Sequence, residues 1–117
     1  MKFGESKLQT NLVNWFRLAY PEYAGVFFSV PTGGKRSVIT AAILKREGAL
    51  AGVSDLLLLV ARNGYHGLCI EVKFEKGKQS DSQKLFQKNV EEQGFLYVVV
   101  NEFDSFKSII DNYLTKP

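Results

Sequence analysis

The spacing of apolar positions divides the chain into stretches of helical and strand period. Leu8, Leu12, Trp15, Phe16 and Ala19 recur at helical spacing, which predicts a helix over residues 5–20 that Pro21 stops. Residues 25–30 (GVFFSV) read as a strand of modest length, and residues 31–37 (PTGGKRS) as a glycine-rich, basic loop. Residues 38–47 fit a second helix, with Ser37 as its N-cap and Gly48 as its stop. Residues 55–61 (DLLLLVA) form a strongly apolar strand. Asn63-Gly64 inside a turn over residues 62–66 is a hairpin signal, and residues 67–73 (GLCIEVK) are the returning strand. After a charged loop at 74–79, Ser80 caps a helix over 81–93 that Gly94 ends. Residues 95–100 (FLYVVV) read as a buried strand, and residues 101–114 as a last helix capped by Asn101. A hairpin followed by a helical crossover to another strand argues against a purely parallel sheet. The expected fold is α/β, a mixed β-sheet flanked by α-helices.

Composition narrows this picture only a little. At 117 residues the chain is expected to be a single domain, 1–117, with a core of its own. The longest apolar run, residues 56–61, is far too short to span a bilayer, so no membrane partner is expected. The first residues (MKFGE) carry no apolar signal region. Cys69 is the one cysteine, which excludes an intrachain disulfide and a cysteine-built zinc site and fits a reducing cytoplasm. A net charge of +3 is compatible with nucleic acid without requiring it.

Chemistry enters with Asp55 and, sixteen residues on, Glu71-Val72-Lys73. Along residues 67–73, Leu68, Ile70 and Val72 share one face of the strand, and Cys69, Glu71 and Lys73 the other. Taken alone, Glu-x-Lys on a strand is a salt-bridged, solvated sheet face. The hairpin sharpens it. A turn over residues 62–66 sets Ala61 against Gly67, Asp55 against Lys73 and Leu57 against Glu71. Opposed residues share a face, so Asp55, Glu71 and Lys73 converge at one end of the hairpin. Two neighbouring carboxylates repel unless a cation sits between them. A hard divalent ion with oxygen ligands, Mg²⁺ or Mn²⁺, answers that need and activates water toward a phosphodiester. An adjacent lysine orients the water or stabilises charge at phosphorus.

With these residues in order, Asp then Glu-x-Lys on a hairpin, the sequence resembles the PD-(D/E)xK nuclease superfamily. Glu5, residues 48–55 (GALAGVSD), Ile70-Glu71-Val72-Lys73, Gly77, Ser80 and Gln83 are similar to its VRR-NUC (virus-type replication-repair nuclease) family. The resemblance runs from Glu5 to about Leu114. It implies a restriction-endonuclease-like core and metal-dependent DNA hydrolysis leaving a 5′-phosphate and a 3′-hydroxyl. Small stand-alone members act on branched DNA in the manner of Holliday-junction resolvases, often as homodimers. A bacterial or phage-infected cell is the setting this architecture suggests. Carried across, Asp55, Glu71 and the Val72 carbonyl would hold metal, with Glu5 reaching it directly or through water. Lys73 matches the catalytic lysine, and Gln83 a helix glutamine that supports the site. Ser54 stands where the superfamily signature has proline, a position that shapes the backbone and is not a ligand.

Other features rank below these. Lys35 and Arg36 in the glycine-rich loop, and Lys76 and Lys78 after the strand, are candidates for DNA-backbone contact. The loop is not a Walker A motif, because the required spacing is missing. His66 falls at the far end of the hairpin, and Cys69 lacks a histidine partner, so neither is expected to be catalytic. Trp15, Tyr20, Tyr23 and Phe103 are candidate interface aromatics. The competing readings are a restriction-type or exonucleolytic duplex nuclease, and a non-catalytic DNA-binding module of the same fold.

Overall fold

The computed structural model describes residues 3–31 and 38–115, so the expected Ser37 cap and the Lys35 and Arg36 contacts lie outside the described residues. Helix α1 (Phe3–Ala19) turns Leu12 and Phe16 fully into the core. Pro21 ends it, but strand does not follow at once. Pro21–Val26 forms a 3-10 helix, because proline's fixed φ suits a first helical turn. The strand expected over 25–30 therefore shrinks to β1 (Phe27–Ser29). Then come α2 (Val38–Arg46), β2 (Leu56–Leu58), β3 (Leu68–Val72), α3 (Asp81–Glu92), β4 (Leu96–Val100) and α4 (Phe103–Thr115). Asn101 does not cap α4. The Glu102 carbonyl accepts the first intrahelical bond, from Phe106 N–H at 3.4 Å, so Glu102 holds that place.

The four strands form one sheet in the order β1-β2-β3-β4. The β1–β2 and β2–β3 pairs are antiparallel, and β3–β4 is parallel. This is the mixed sheet that a hairpin plus a helical crossover demands.

The hairpin register differs from the one read from sequence. The turn is only Asn63-Gly64, both at positive φ (54° and 85°), between mutually bonded Arg62 and Tyr65. Continued without interruption, that turn would set Leu58 against Cys69. Instead Leu58 pairs with Leu68, and Leu56 with Ile70. Three residues, 59–61, thus oppose two, 66–67. The extra residue is a bulge, and a slip of one would have turned every side chain to the other face. Turn and bulge together move the pairing by two residues from the expected register, so the faces survive. Asp55 comes opposite Glu71 instead of Lys73, one step beyond the ladder.

One face of the sheet carries Leu56, Leu58, Leu68, Ile70, Val72 and Val100 against Leu12 and Phe16 of α1 and Phe106, Ile110 and Tyr113 of α4. The other face carries Cys69, Glu71 and Tyr97. There α3 packs down, Phe86 edge-on to Tyr97 at 6.3 Å between ring centroids. All five residues of β3 are buried as a result, so the face of Cys69 and Glu71 is a covered one and not the solvated, salt-bridged face that Glu-x-Lys alone would suggest. Trp15, Tyr20, Tyr23 and Phe103 are also taken inward. They pack partly buried against the core, with Trp15 edge-on to Tyr20, Phe103 and Phe106. The ring quadrupoles favour that edge-to-face arrangement, which leaves these aromatics as internal packing. No described helix is long and apolar enough to cross a membrane.

Candidate active site

Asp55 enters the site from a segment fastened against α3. Gly52 has φ +86°, and a Cβ on it would lie 2.3 Å from the Ser82 carbonyl oxygen. Only glycine permits both the turn and that approach. Three residues on, Asp55 Oδ2 accepts a 2.7 Å hydrogen bond from Val72 N–H. The carboxylate is thereby tied across the hairpin to the residue between Glu71 and Lys73. Burial pushes the Asp55 carboxyl above its ordinary pKa, and the Glu71 and Glu5 charges push the same way. The Val72 amide and the Lys73 ammonium oppose them without cancelling the rise.

Glu71 is fully buried. Its Oε1 accepts from the Tyr97 hydroxyl in a short hydrogen bond and from Gln79 Nε2 at 3.1 Å. Gln79 in turn donates to Gln87 Oε1 at 2.9 Å, and Gln87 to Glu91 Oε2 at 3.2 Å. Its other oxygen, Oε2, is buried with no hydrogen-bond donor. The nearest cation among the described residues is Lys73 Nζ, 3.6 Å away and only 14% exposed. A buried carboxylate oxygen without a donor is costly, and such groups are paired or hold metal. The Tyr97 phenol pKa is raised, first by burial and then by the Glu71 carboxylate it bonds. Tyr97 is therefore a fixed donor at neutral pH.

The remaining expected residues fall as follows. Glu5 approaches the lysine side of the site, with Oε2 3.5 Å from where a Cβ on Gly77 would stand and the Lys73 Cδ 3.4 Å from the same point. Gln83 does not touch the carboxylates. Its Oε1 accepts from Ser80 N–H at 2.8 Å while Ser80 Oγ accepts from Gln83 N–H at 3.2 Å, a capping box that fixes the start of α3. Lys76 and Lys78 are exposed in the loop after β3. His66 packs edge-on to Phe95 at the far end, and its main-chain N–H donates to the Gly94 carbonyl. Cys69 is buried and its thiol pKa is pushed up by that burial, which fits an inert side chain.

Among the described residues, no three acid, histidine or cysteine side chains gather closely enough to hold a metal ion by themselves. Two carboxylates, one of them with a buried oxygen that has no donor, beside a lysine do suit a hard divalent cation that takes its other ligands from main-chain oxygen and water.

Residues 2–103 match the VRR-NUC domain family. The chain belongs to the VRR-NUC family. A solved VRR_NUC domain protein superposes with a TM-score of 0.83 at 28% identity, over 97% of this chain and 90% of that one. No curated protein matches the sequence. The mixed sheet flanked by helices is thus a nuclease-type VRR-NUC fold.

Within this VRR-NUC domain, Gln79, Tyr97 and Gln87 went unrecognised in the sequence. Tyr97 meets the site because it pairs with Cys69 in the parallel ladder, which puts it on the Glu71 face. Alternation along residues 95–100 assigns Tyr97 and Val99 to one face of β4. It cannot say that this face is shared with Glu71, because a parallel register leaves no local signal. Gln79 and Gln87 are eight residues apart, one in a loop and one on α3, and the contact between them is tertiary.

Proposed function

We propose that this chain is a divalent-metal-dependent DNA endonuclease that hydrolyses phosphodiester bonds in branched DNA as a homodimer. The observation that carries the reading is the buried Glu71 Oε2, without a donor, facing the Lys73 ammonium next to Asp55. Asp55, Glu71 and the Val72 carbonyl would hold Mg²⁺ or Mn²⁺, and Glu5 would reach it directly or through water. Bound there, the cation supplies Lewis acidity toward a phosphate oxygen and lowers the pKa of a bound water. Tyr97 and Gln79 fix the Glu71 carboxylate in one orientation, so that Oε2 is the oxygen offered. Lys73, held beside Glu71, places a positive charge where charge develops on the attacked phosphate. Lys76 and Lys78, with Lys35 and Arg36, would contact the DNA backbone.

Branched DNA and a twofold assembly belong together in this reading. Symmetric cutting of two strands needs two active sites, and a twofold dimer supplies them. Helix α2 supports an interface: none of its residues is buried, and Val38 and Ile39 are 86% and 73% exposed.

The test is a substrate panel. Purified protein is incubated with a four-way junction, a flap and a blunt duplex, with Mg²⁺, Mn²⁺ or chelator. Metal-dependent cutting of the junction is expected, with Lys73→Ala slower by about 10²-fold or more, the scale of losing one group that stabilises developing charge. Absence of cutting on every substrate with either metal would overturn the enzyme reading.

A further inference from the structure

Glu71 Oε1 has two donors, and they are held in different ways. Tyr97 stands on β4, where the ladder fixes it opposite Cys69. Gln79 stands in the loop between β3 and α3, so its amide needs a hold of its own. α3 supplies one. Gln79 Nε2 lies 3.1 Å from Glu71 Oε1 and 2.9 Å from Gln87 Oε1, which commits both of its hydrogens. Gln87 in turn donates from Nε2 to Glu91 Oε2 at 3.2 Å, one helical turn further on. The chain Glu71–Gln79–Gln87–Glu91 therefore starts and ends on a carboxylate.

Those two ends give the chain its sense. An ionised carboxylate only accepts, whereas an amide offers an oxygen at one corner and a nitrogen at the other. Glu91 takes the Gln87 nitrogen and so turns the Gln87 oxygen inward. An inward oxygen draws the nitrogen of Gln79 and repels its oxygen. That same nitrogen reaches Glu71, so the corner of Gln79 that Gln87 selects is the corner the buried carboxylate meets. With Gln87 reversed, an amide oxygen would face Glu71, an acceptor set against a buried charge. Glu91 is exposed, and water can take its place as acceptor. Gln87 is half-buried, where water replaces it less readily.

We infer, on the metal-dependent reading above, that Gln87 is a positioning residue for the metal ligand Glu71, acting through Gln79. Two donors on Oε1 pin the carboxylate and leave Oε2, which has none, as the oxygen turned to the metal. Without the Gln87 oxygen, the Gln79 amide is free to turn outward. Glu71 then keeps Tyr97 alone and must be ordered again when metal binds. α3 thus contributes to the metal site a side chain that stands one residue away from the ligand.

Mn²⁺ affinity is measured by isothermal titration on the full chain, without DNA. Gln87→Met keeps a long side chain of good helix preference and removes the acceptor. It should weaken Mn²⁺ binding about tenfold, the low end of what support for a metal ligand is worth. Its melting temperature in chelator should change little. Gln79→Met should weaken binding at least as much. Adding Gln87→Met to Gln79→Met should cost nothing further, because the second change then has no amide to act on. Gln87→Glu combined with Glu91→Gln keeps an acceptor facing Gln79 with a donor behind it, and should restore wild-type affinity. A folded Gln87→Met that binds Mn²⁺ like wild type overturns the role of Gln87 and leaves the metal-dependent reading standing. So do additive losses in the double methionine variant, or an exchanged pair that binds as weakly as Gln87→Met. A wild-type chain with no Mn²⁺ site overturns both.

Discussion

At the scale of single residues, the site is governed by what surrounds two carboxylates. Tyr97→Phe removes one of the two donors to Glu71 Oε1 and leaves the ring in place. A hydrogen bond to a buried charge is worth about 1.5–3 kcal/mol, and thermal unfolding should report a loss of that order. Support for a metal ligand typically changes metal affinity or activity 10–100-fold, so half-maximal cutting should need about ten times more Mn²⁺. Unchanged metal demand would limit Tyr97 to packing. Asp55 gives a pH prediction of opposite sign from the usual carboxylate. Its folded pKa is raised, by burial first and then by Glu71 and Glu5. The stability it contributes is therefore fully present below the unfolded value of about 3.9 and is lost as pH rises through the folded value. Without metal, ionisation of Asp55 opposes folding. Asp55→Asn keeps an acceptor for Val72 N–H and removes the charge. In chelator at pH 7 the variant should melt at or above the wild-type temperature. Added Mg²⁺ should then raise the wild-type midpoint and leave the variant's where it was. A variant less stable than wild type in chelator would contradict this. Asp55, Glu71 and Lys73 were legible from sequence because residue type and strand alternation suffice to group them. Tyr97, Gln79 and Gln87 were not, because their meeting depends on a parallel register and a helix position that no local pattern encodes.

Elements set these residues in place through two devices that differ in how visible they are. Asn63-Gly64 announces the hairpin, and its positive φ values are those a two-residue turn demands. The bulge over residues 59–61 leaves no such mark, since Leu59, Val60 and Ala61 continue the apolar run. The reading from sequence reached the right faces through a register two residues off, because an even shift preserves strand parity. The shared face was legible there and the partner of Asp55 was not. The second device is Gly52, where the loop before Asp55 meets the first turn of α3. Gly52→Ala would place a Cβ 2.3 Å from the Ser82 carbonyl oxygen at φ +86°. Backbone strain and overpacking together should cost roughly 2–5 kcal/mol. The loop would have to move, and Asp55 with it, so cutting should fall further than the loss of folded protein explains. Gly25→Ala meets nothing within 4 Å and serves as the control, with a change of about 0.5 kcal/mol or less. Denaturant titration beside initial rates separates the two effects. Equal behaviour of the two variants would mean that the Gly52 contact does not position Asp55.

The whole molecule measures 45 × 30 × 27 Å, elongated for its length. The sheet has its core on one face and α3 on the other, which accounts for α1, α3 and α4 but leaves α2 without a buried residue. Its sequence, VITAAILKR, has the composition of a packed helix and the exposure of a surface one. Ile43 is 39% exposed and Leu50, just past the helix, 62%. The apolar surface there is what a second copy would cover if cutting requires two sites. The aromatics that seemed suited to an interface are spent inside, with the Tyr23 hydroxyl accepting from Arg62 Nη2 at 2.7 Å and Tyr20 bonded to Asp111. α2 is thus the surface on which the dimer should be tested. Val38→Glu with Ile39→Glu puts two charges on side chains that make no core contact, so folding should be preserved. Sedimentation equilibrium should show a wild-type dimer and a monomeric variant. The variant should retain Mn²⁺ binding and nick a junction on one strand, while paired incision falls by about tenfold or more, since one desolvated like-charge contact costs several kcal/mol. A wild-type chain that sediments as a monomer with junction DNA bound would separate the chemistry of Asp55, Glu71 and Lys73 from the twofold assembly. The carboxylates would then cut one strand at a time.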